Sequence, residues 1–436
     1  MALHTKPRGY VKEDVLALAL AFYKREYQDQ TLATTVYVDN TTETSPGSGV
    51  LIGSDTNNGT SALTPFLTLA RCYKYFARLN TTAGTIICAA GTYEDNTLDK
   101  DLNAITIIGN KTIAETRNIT AATNAVNKIR ATVDGAALTT DQWYGRLVRY
   151  TTLNRYGWVY FNNTSNQVFT TFDGATTPAV TTSHDLELYT LNTTIHFENT
   201  RTLDNCTQLN YQDLNFTGAA SGRVWFFNQT DKVQFTRCNF GINRLNAGSD
   251  SVIFVFTCFI ACVGDATLGM VTLPQGGRAR VGQGTVFSSK NQGGSNRTFI
   301  HAVQLANINV DGLIVFRGTG SKAIETEASN ISVDGGVGAN DVVYFENDSS
   351  VSSNAGRYAM NLTNEGVGGV SQLPITLGQT TAQDFVAAKS FAKVIVPAGT
   401  SITTGRGTNT VSADGGSTNV SSNAADETKI VGGDPS

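Results

Sequence analysis

Asp185 and Glu187, in the run His184-Asp185-Leu186-Glu187, and Glu198, in His196-Phe197-Glu198, form the densest set of carboxylates and imidazoles in the sequence, with Asp204 and Asp213 further on. Alternation along a strand puts Asp185 and Glu187 on one face, where they could act as an acid and base pair or as metal ligands. Glycoside cleavage needs such a pair, one carboxyl protonating the leaving oxygen and the other serving as base or nucleophile. The stronger reading of the same residues is a solvated strand face with two hydrogen-bonded histidines. No Asp cluster with an accompanying Arg suits a lyase, and neither GxSxG nor HExxH occurs. Asp185, Glu187 and Glu198 stand as candidates, with no catalytic residue, metal or cofactor assigned.

Aromatic side chains are the second chemical signal. Trp143, Tyr144, Tyr150, Tyr156, Trp158 and Tyr160 cluster among Arg146, Arg149 and Arg155, and Trp225, Phe226 and Phe227 follow. Ring faces stack on sugars and guanidinium groups donate to hydroxyls, so Trp143, Tyr144, Trp158, Tyr160 and Trp225 are candidate glycan contacts. The competing reading is a core or a subunit interface, where the same types are enriched. None of the six cysteines forms a CxxC, and Cys258 and Cys262 have no neighbouring histidine, so buried free thiols are expected.

Composition narrows the classes. Of 436 residues 16% are charged and 40% hydrophobic, with 42 Gly, 8 Pro and a net charge of −4. The deficit of charge is filled by Thr and Asn, which suit strands and turns better than helices. An all-helical enzyme is excluded on that ground. No basic run offers a nucleic-acid footprint, no apolar stretch is long enough to span a membrane, and the N-terminus lacks the apolar core of a secretory signal. The many Asn-X-Thr/Ser sequons arise from composition alone.

The elements that must position these residues can be traced along the chain. Residues 11–28 predict a helix with two apolar seams, one of Val11, Val15, Leu18 and Phe22, the other of Leu16, Leu20, Tyr23 and Tyr27. Two seams point to contact with another chain. A strand follows at Val36-Tyr37-Val38-Asp39. A helix is then predicted with Thr64 as N-cap, Pro65 at its first position, and Phe66, Leu69, Tyr73 and Phe76 on one face. Gly84-Thr85-Ile86-Ile87-Cys88 and Ala90-Gly91-Thr92-Tyr93 read as a buried strand and a turn.

The order of these segments, with Asn57-Asn58-Gly59-Thr60 between them, resembles the start of right-handed parallel β-helix proteins. That group includes pectate-lyase-like proteins and many bacteriophage tailspikes. The resemblance covers roughly sixty residues and concerns fold rather than chemistry. It implies an all-β chain: a right-handed single-stranded parallel β-helix whose N-terminal end is capped by the second helix.

Internal repetition supports the same architecture. Asn307-Ile308-Asn309-Val310-Asp311-Gly312 recurs 23 residues later as Asn330-Ile331-Ser332-Val333-Asp334-Gly335. Leu214-Asn215-Phe216 recurs 24 residues later at Cys238-Asn239-Phe240, and 20 after that at Cys258-Phe259-Ile260. Such intervals match one coil of a stacked solenoid. Leu214, Cys238 and Cys258 then form one inward column and Phe216, Phe240 and Ile260 another, with Asn215 and Asn239 between them, facing outward or joined in an amide ladder. Coils are expected from about residue 85 to about 365, with Gly174–Ser183 and Gly269–Gly284 as loops. Three regions result: 1–32, a short N-terminal helical anchor; 33–365, the β-helix with its cap; and 366–436, a small β-rich unit with an extended polar tail.

The resemblance implies a bacteriophage virion protein of tailspike or fibre type that recognises a host-surface glycan. It further implies a homotrimer located on the virion; the two-seamed helix at 11–28 adds the expectation of attachment to other virion proteins, and composition the expectation of no membrane insertion and no nucleic acid. A polysaccharide depolymerase, hydrolase or lyase, and a head-decoration protein without a receptor role are the alternatives.

Overall fold

The computed structural model describes residues 34–41, 53–79, 83–95, 104–125, 128–174, 179–198, 200–204, 208–218, 224–228, 230–242, 244–248, 251–261, 269–288, 298–303 and 306–311, and from there the strands between 314 and 431. The N-terminal seams, Val11, Val15, Leu18 and Phe22 among them, lie outside the described residues.

Strands come in threes because one coil crosses three sheets before returning. Gln208–Gln212, Asn215–Gly218 and Val224–Asn228 make one coil. Lys232–Thr236, Asn239–Gly241 and Arg244–Gly248 make the next, each strand parallel to its counterpart. Repetition builds three parallel sheets of 12, 10 and 10 strands, an all-β parallel solenoid. At the ~4.8 Å strand spacing, the stack is on the order of 50–55 Å long.

Register confirms the repeats. Asn307, Ile308, Asn309, Val310 and Asp311 lie opposite Asn330, Ile331, Ser332, Val333 and Asp334. Phe216 pairs with Phe240 and Phe240 with Ile260. Leu214, Cys238, Cys258 and these three residues are fully buried, as alternate inward positions of stacked strands must be. The Phe216 and Phe240 rings stack at 4.9 Å, and Tyr211 stacks on Phe235 at 5.4 Å. Between the columns, Asn239 Nδ2 donates to Asn215 Oδ1 at 3.2 Å, so the amide ladder forms. Cys72, Cys88, Cys238 and Cys258 are buried free thiols.

The capping helix begins later than predicted, at Leu69–Leu79. Pro65 and Phe66 are extended instead, because Phe66 pairs with Val38 as a parallel bridge. Thr68, not Thr64, caps the helix: its Oγ1 accepts from the Arg71 N–H at 3.2 Å, and Asp55 holds the Thr68 hydroxyl. Leu69, Cys72, Tyr73 and Phe76 join the solenoid core and cover its end.

The coils do not run unbroken. Between Ile105–Ile108 in the first sheet and Thr193–Phe197 in the second, the chain leaves the solenoid and builds a closed antiparallel six-stranded barrel. Its strands are Lys111–Ala125, Lys128–Val133, Leu147–Tyr150, Arg155–Asn162, Gln167–Thr170 and Asp185–Leu191. The segment expected to be a loop from Gly269 to Gly284 is instead solenoid, carrying Val271–Leu273 in the third sheet and Arg278–Val281 in the first. Strands after Gly366, from Val367–Ser371 to Ile430–Val431, extend the same three sheets. Among the described residues no helix is long and apolar enough to cross a membrane.

The column assignment is testable at Phe240, whose ring touches both Phe216 and Phe235. Phe240→Ala is expected to destabilise the fold by about 3–5 kcal/mol and to lower the thermal midpoint read by circular dichroism. An unchanged midpoint would contradict the inward placement.

Candidate functional site

The barrel is both inserted at one corner of the solenoid and docked along it. Asp213, Arg237 and Thr257 each turn the chain from the first sheet to the second in a left-handed conformation, with φ of 58°, 53° and 50°. They stack one above another: Asp213 N–H donates to the Thr236 carbonyl, Arg237 N–H to Phe256, and Thr257 N–H to Gln283, at 3.0–3.1 Å. Gly284 continues the stack at φ 79°, and a Cβ there would meet the Phe172 carbonyl at 2.7 Å.

Every level of this stack meets the barrel. Lys111 Nζ lies 2.6 Å from Asp213, and the Arg237 guanidinium sits 4.8 Å over the Tyr156 ring. Trp158 Nε1 donates to the Thr257 carbonyl at 2.6 Å, and Thr171 Oγ1 to that of Gly284 at 2.8 Å. Phe259 and Val286 of the solenoid's second sheet complete the barrel core. At the neck, Asn192 N–H donates to the Asn110 carbonyl at 2.8 Å and ties the outgoing and returning strands together.

Asp213 is the electrostatic centre of the junction. Its side chain is 3% exposed and receives Arg237 Nε at 2.7 Å, Arg237 Nη2 at 3.1 Å and Lys111 Nζ at 2.6 Å. Burial pushes its carboxyl up, but the hydrogen bonds and charge of Arg237, then those of Lys111, reverse this and hold it below the ordinary carboxylate value. Asp173 behaves oppositely. Burial raises its carboxyl above the ordinary value, and the Tyr156 backbone and the charges of Arg155 and Arg237 offset this only in part.

Beside the junction, a cleft of about 400 Å³ separates the barrel wall at Asp173 and Gly174 from the outer face of the first sheet. Gln234, Thr236, Phe256 and Arg280 line the solenoid side, with Gln283 and Gly282 at its edge. Gly282 makes room for the aromatic ring: a Cβ there would lie 2.1 Å from Phe256 Cδ1. Phe254 stands 6.0 Å from Phe256 on the same strand, with Lys232 Nζ 5.1 Å over its ring. The arrangement offers an apolar ring face with amide and hydroxyl groups to one ligand.

The residues singled out from sequence are placed elsewhere. Trp143, Trp158, Tyr160 and Trp225 are at most 3% exposed, the first three in the barrel core and Trp225 in the solenoid core. Tyr144 packs edge-on against Phe259 at 5.3 Å. A small closed barrel turns its largest side chains inward to fill its interior, and burial removes the ring faces of Trp143, Trp158 and Tyr160, and that of Trp225 in the solenoid, from any ligand, while Tyr144 is half-buried.

Asp185 and Glu187 do share a barrel strand, but Glu187 is buried rather than solvated. It pairs with Arg149 at 2.8 Å and accepts from the Tyr189 hydroxyl at 2.7 Å. Asp185 is half-buried beside Thr151, and Glu198 is exposed after a solenoid strand. His184 Nδ1 accepts from Thr181 N–H, and His196 Nδ1 bonds the Thr217 hydroxyl, each at 3.0 Å. Sequence reasoning missed Phe254 and Phe256. Aligning Ile253 with Val233 would have turned both outward, since Val252–Phe256 is apolar at every position and hides its own alternation.

No protein-family model matches the chain, and no curated protein matches it. Among solved structures it is similar to a glycoside hydrolase at 10% identity over 87% of this chain and 96% of the other, with a TM-score of 0.30. It is also similar to the Pseudomonas phage phi297 tailspike gp61, at 12% identity over 81% and 74%, TM-score 0.25. The gp54 tailspike of Acinetobacter baumannii bacteriophage AP22, solved in complex with A. baumannii capsular saccharide, gives 12% identity over 81% and 76%, TM-score 0.20. At these TM-scores no residue role passes from them to this chain.

Because the folded Asp213 carboxyl lies below its ordinary value, its stabilisation is complete above the unfolded-chain pKa of about 4. It is lost as pH falls through the lower folded value. Asp213→Asn leaves Lys111 and Arg237 without their anion, at an expected cost of about 3–5 kcal/mol. Thermal midpoints measured from neutral pH to pH 2.5 should be lowered in the variant at neutral pH, with a shallower acid decline than in the parent. Coincident profiles would show that the junction does not depend on this carboxylate.

Proposed function

We propose that this chain is a virion protein of the tailspike kind that binds a host-surface glycan in the cleft between its barrel and its solenoid. The observation that carries the reading is the ring of Phe256 set beside Gln234, Thr236 and Gln283 in one open cleft. A sugar ring presents an apolar face edged by hydroxyls, and this combination meets both features at once. The likeness of the opening segment to β-helix proteins, and the parallel stack itself, support the tailspike kind.

The solenoid wall is held by continuous inter-coil hydrogen bonding, and the barrel wall by the corner stack. Both are ordered before the ligand arrives, so little conformational entropy is lost on binding. In this reading residues 1–32 attach the chain to other virion proteins, and three copies act together to raise avidity. Binding is favoured over cleavage: among the described residues lining the cleft, Asp173 is the one carboxylate, and it is paired with Arg155. A two-carboxylate mechanism needs a second one across the bond.

Phe256→Ala should weaken binding to purified host-surface polysaccharide about tenfold, on the ~1.4 kcal/mol scale of one lost stacking face, with the thermal midpoint little changed. Binding equal to the parent would move the site away from the cleft. New reducing ends in the parent incubation would replace the binding reading with a depolymerase.

A further inference from the structure

Hydrogen bonds that cross from the barrel to the solenoid bracket the cleft. Phe256, on the solenoid side, is followed directly by Thr257, whose carbonyl accepts from Trp158 Nε1 at 2.6 Å. Gly282 and Gln283, at the edge, are followed by Gly284, whose carbonyl accepts from Thr171 Oγ1 at 2.8 Å. On the barrel side, Thr171 stands shortly before Asp173 and Gly174, which form the wall itself. The Lys111 and Asp213 pair is remote by comparison, two corners below Thr257.

Thr171 is placed to fix that wall. It is fully buried, and its hydroxyl is used twice: it accepts from the Trp158 N–H at 3.0 Å and donates to the Gly284 carbonyl. Its own N–H donates back to the Trp158 carbonyl at 3.0 Å, and the Asp173 N–H donates to the Tyr156 carbonyl at 2.6 Å. One side chain thus joins the strand that carries Trp158, the segment that carries Asp173 and the solenoid corner beside Gln283. Asp173 and Gly174 are half-buried at the cleft surface, with Thr171 and Phe172 buried behind them. A hydrogen bond keeps its strength over a narrow span of distance, so the Gly284 contact sets how far the wall stands from Phe256 and Gln234.

Resting on the glycan-binding reading above, we infer that Thr171 is a positioning residue for the cleft: it touches no ligand, and it holds Asp173 and Gly174 at the separation at which a saccharide meets both walls at once. Without its hydroxyl the ligand itself has to order the wall, and that ordering is subtracted from affinity.

Thr171→Val keeps the shape of the side chain and removes the hydroxyl, whereas Thr171→Ser keeps the hydroxyl. Both full-length variants are compared with the parent and with Phe256→Ala by biolayer interferometry on a panel of purified bacterial capsular polysaccharides, below every thermal midpoint. On the polysaccharide that the parent binds, Thr171→Val should be about tenfold weaker and Thr171→Ser within about twofold of the parent. In the free protein, hydrogen–deuterium exchange in Thr171→Val should rise across 171–174 and stay unchanged in Lys232–Thr236. A general loss of stability raises exchange in both. Parent affinity in Thr171→Val, failure of Thr171→Ser to restore it, or exchange raised equally in both segments would overturn the positioning role. Failure of Thr171→Val to fold would overturn it as well, by making the residue structural. In each of those cases a weakened Phe256→Ala leaves glycan binding in the cleft standing. Parent affinity in Phe256→Ala, or a panel with no bound member, would overturn both.

Discussion

A single buried carboxylate at a left-handed corner fastens the two halves of this protein together. Asp213 sits where a coil turns from the first sheet to the second, and it receives one cation from the next coil, Arg237, and one from the barrel, Lys111. Removing an anion from water is costly unless its lone pairs are filled. Four nitrogen contacts, two from Arg237 and one each from Lys111 and the Gln212 amide, fill them, and the Lys111 contact ties the barrel to the solenoid. Trp158 and Thr171 repeat the attachment on the backbone carbonyls of Thr257 and Gly284 further up the corner stack. The barrel is thus laid along the solenoid rather than hung from its two-strand neck.

That placement creates the cleft. Parallel stacking alone gives a smooth outer face, onto which side chains project at fixed spacing but with nothing opposite them. A barrel docked on the adjoining corner adds a second wall. Phe256, Gln234 and Arg280 then face Asp173 and Gly174 across an open space. Specificity on this reading comes from the solenoid's outward side chains, and depth comes from the barrel.

The repeating part of the fold was legible in the sequence because stacking copies residue type. Phe216 over Phe240 and Ile308 over Ile331 are the same side chains one coil apart, and the interval that separates them is the coil itself. The barrel was hidden for the same reason. Its strands pair antiparallel with local neighbours, so Glu187 opposite Arg149 and Leu147 opposite Trp158 leave no fixed interval to detect. Its aromatic residues advertised a binding surface and filled a core, since residue type alone does not tell which side of a closed sheet a ring occupies. Asp213 drew notice only as one carboxylate among several, because its partners lie 24 residues after it and 102 before it.

The central claim is that a glycan lies between the barrel and the first sheet, and hydrogen–deuterium exchange with bound saccharide tests it most directly. Protection concentrated in Lys232–Thr236, Val252–Phe256 and Arg278–Val281, together with the barrel segment around Asp173, is the predicted result. Protection confined to the second or third sheet, with these strands exchanging as in the free protein, would contradict it.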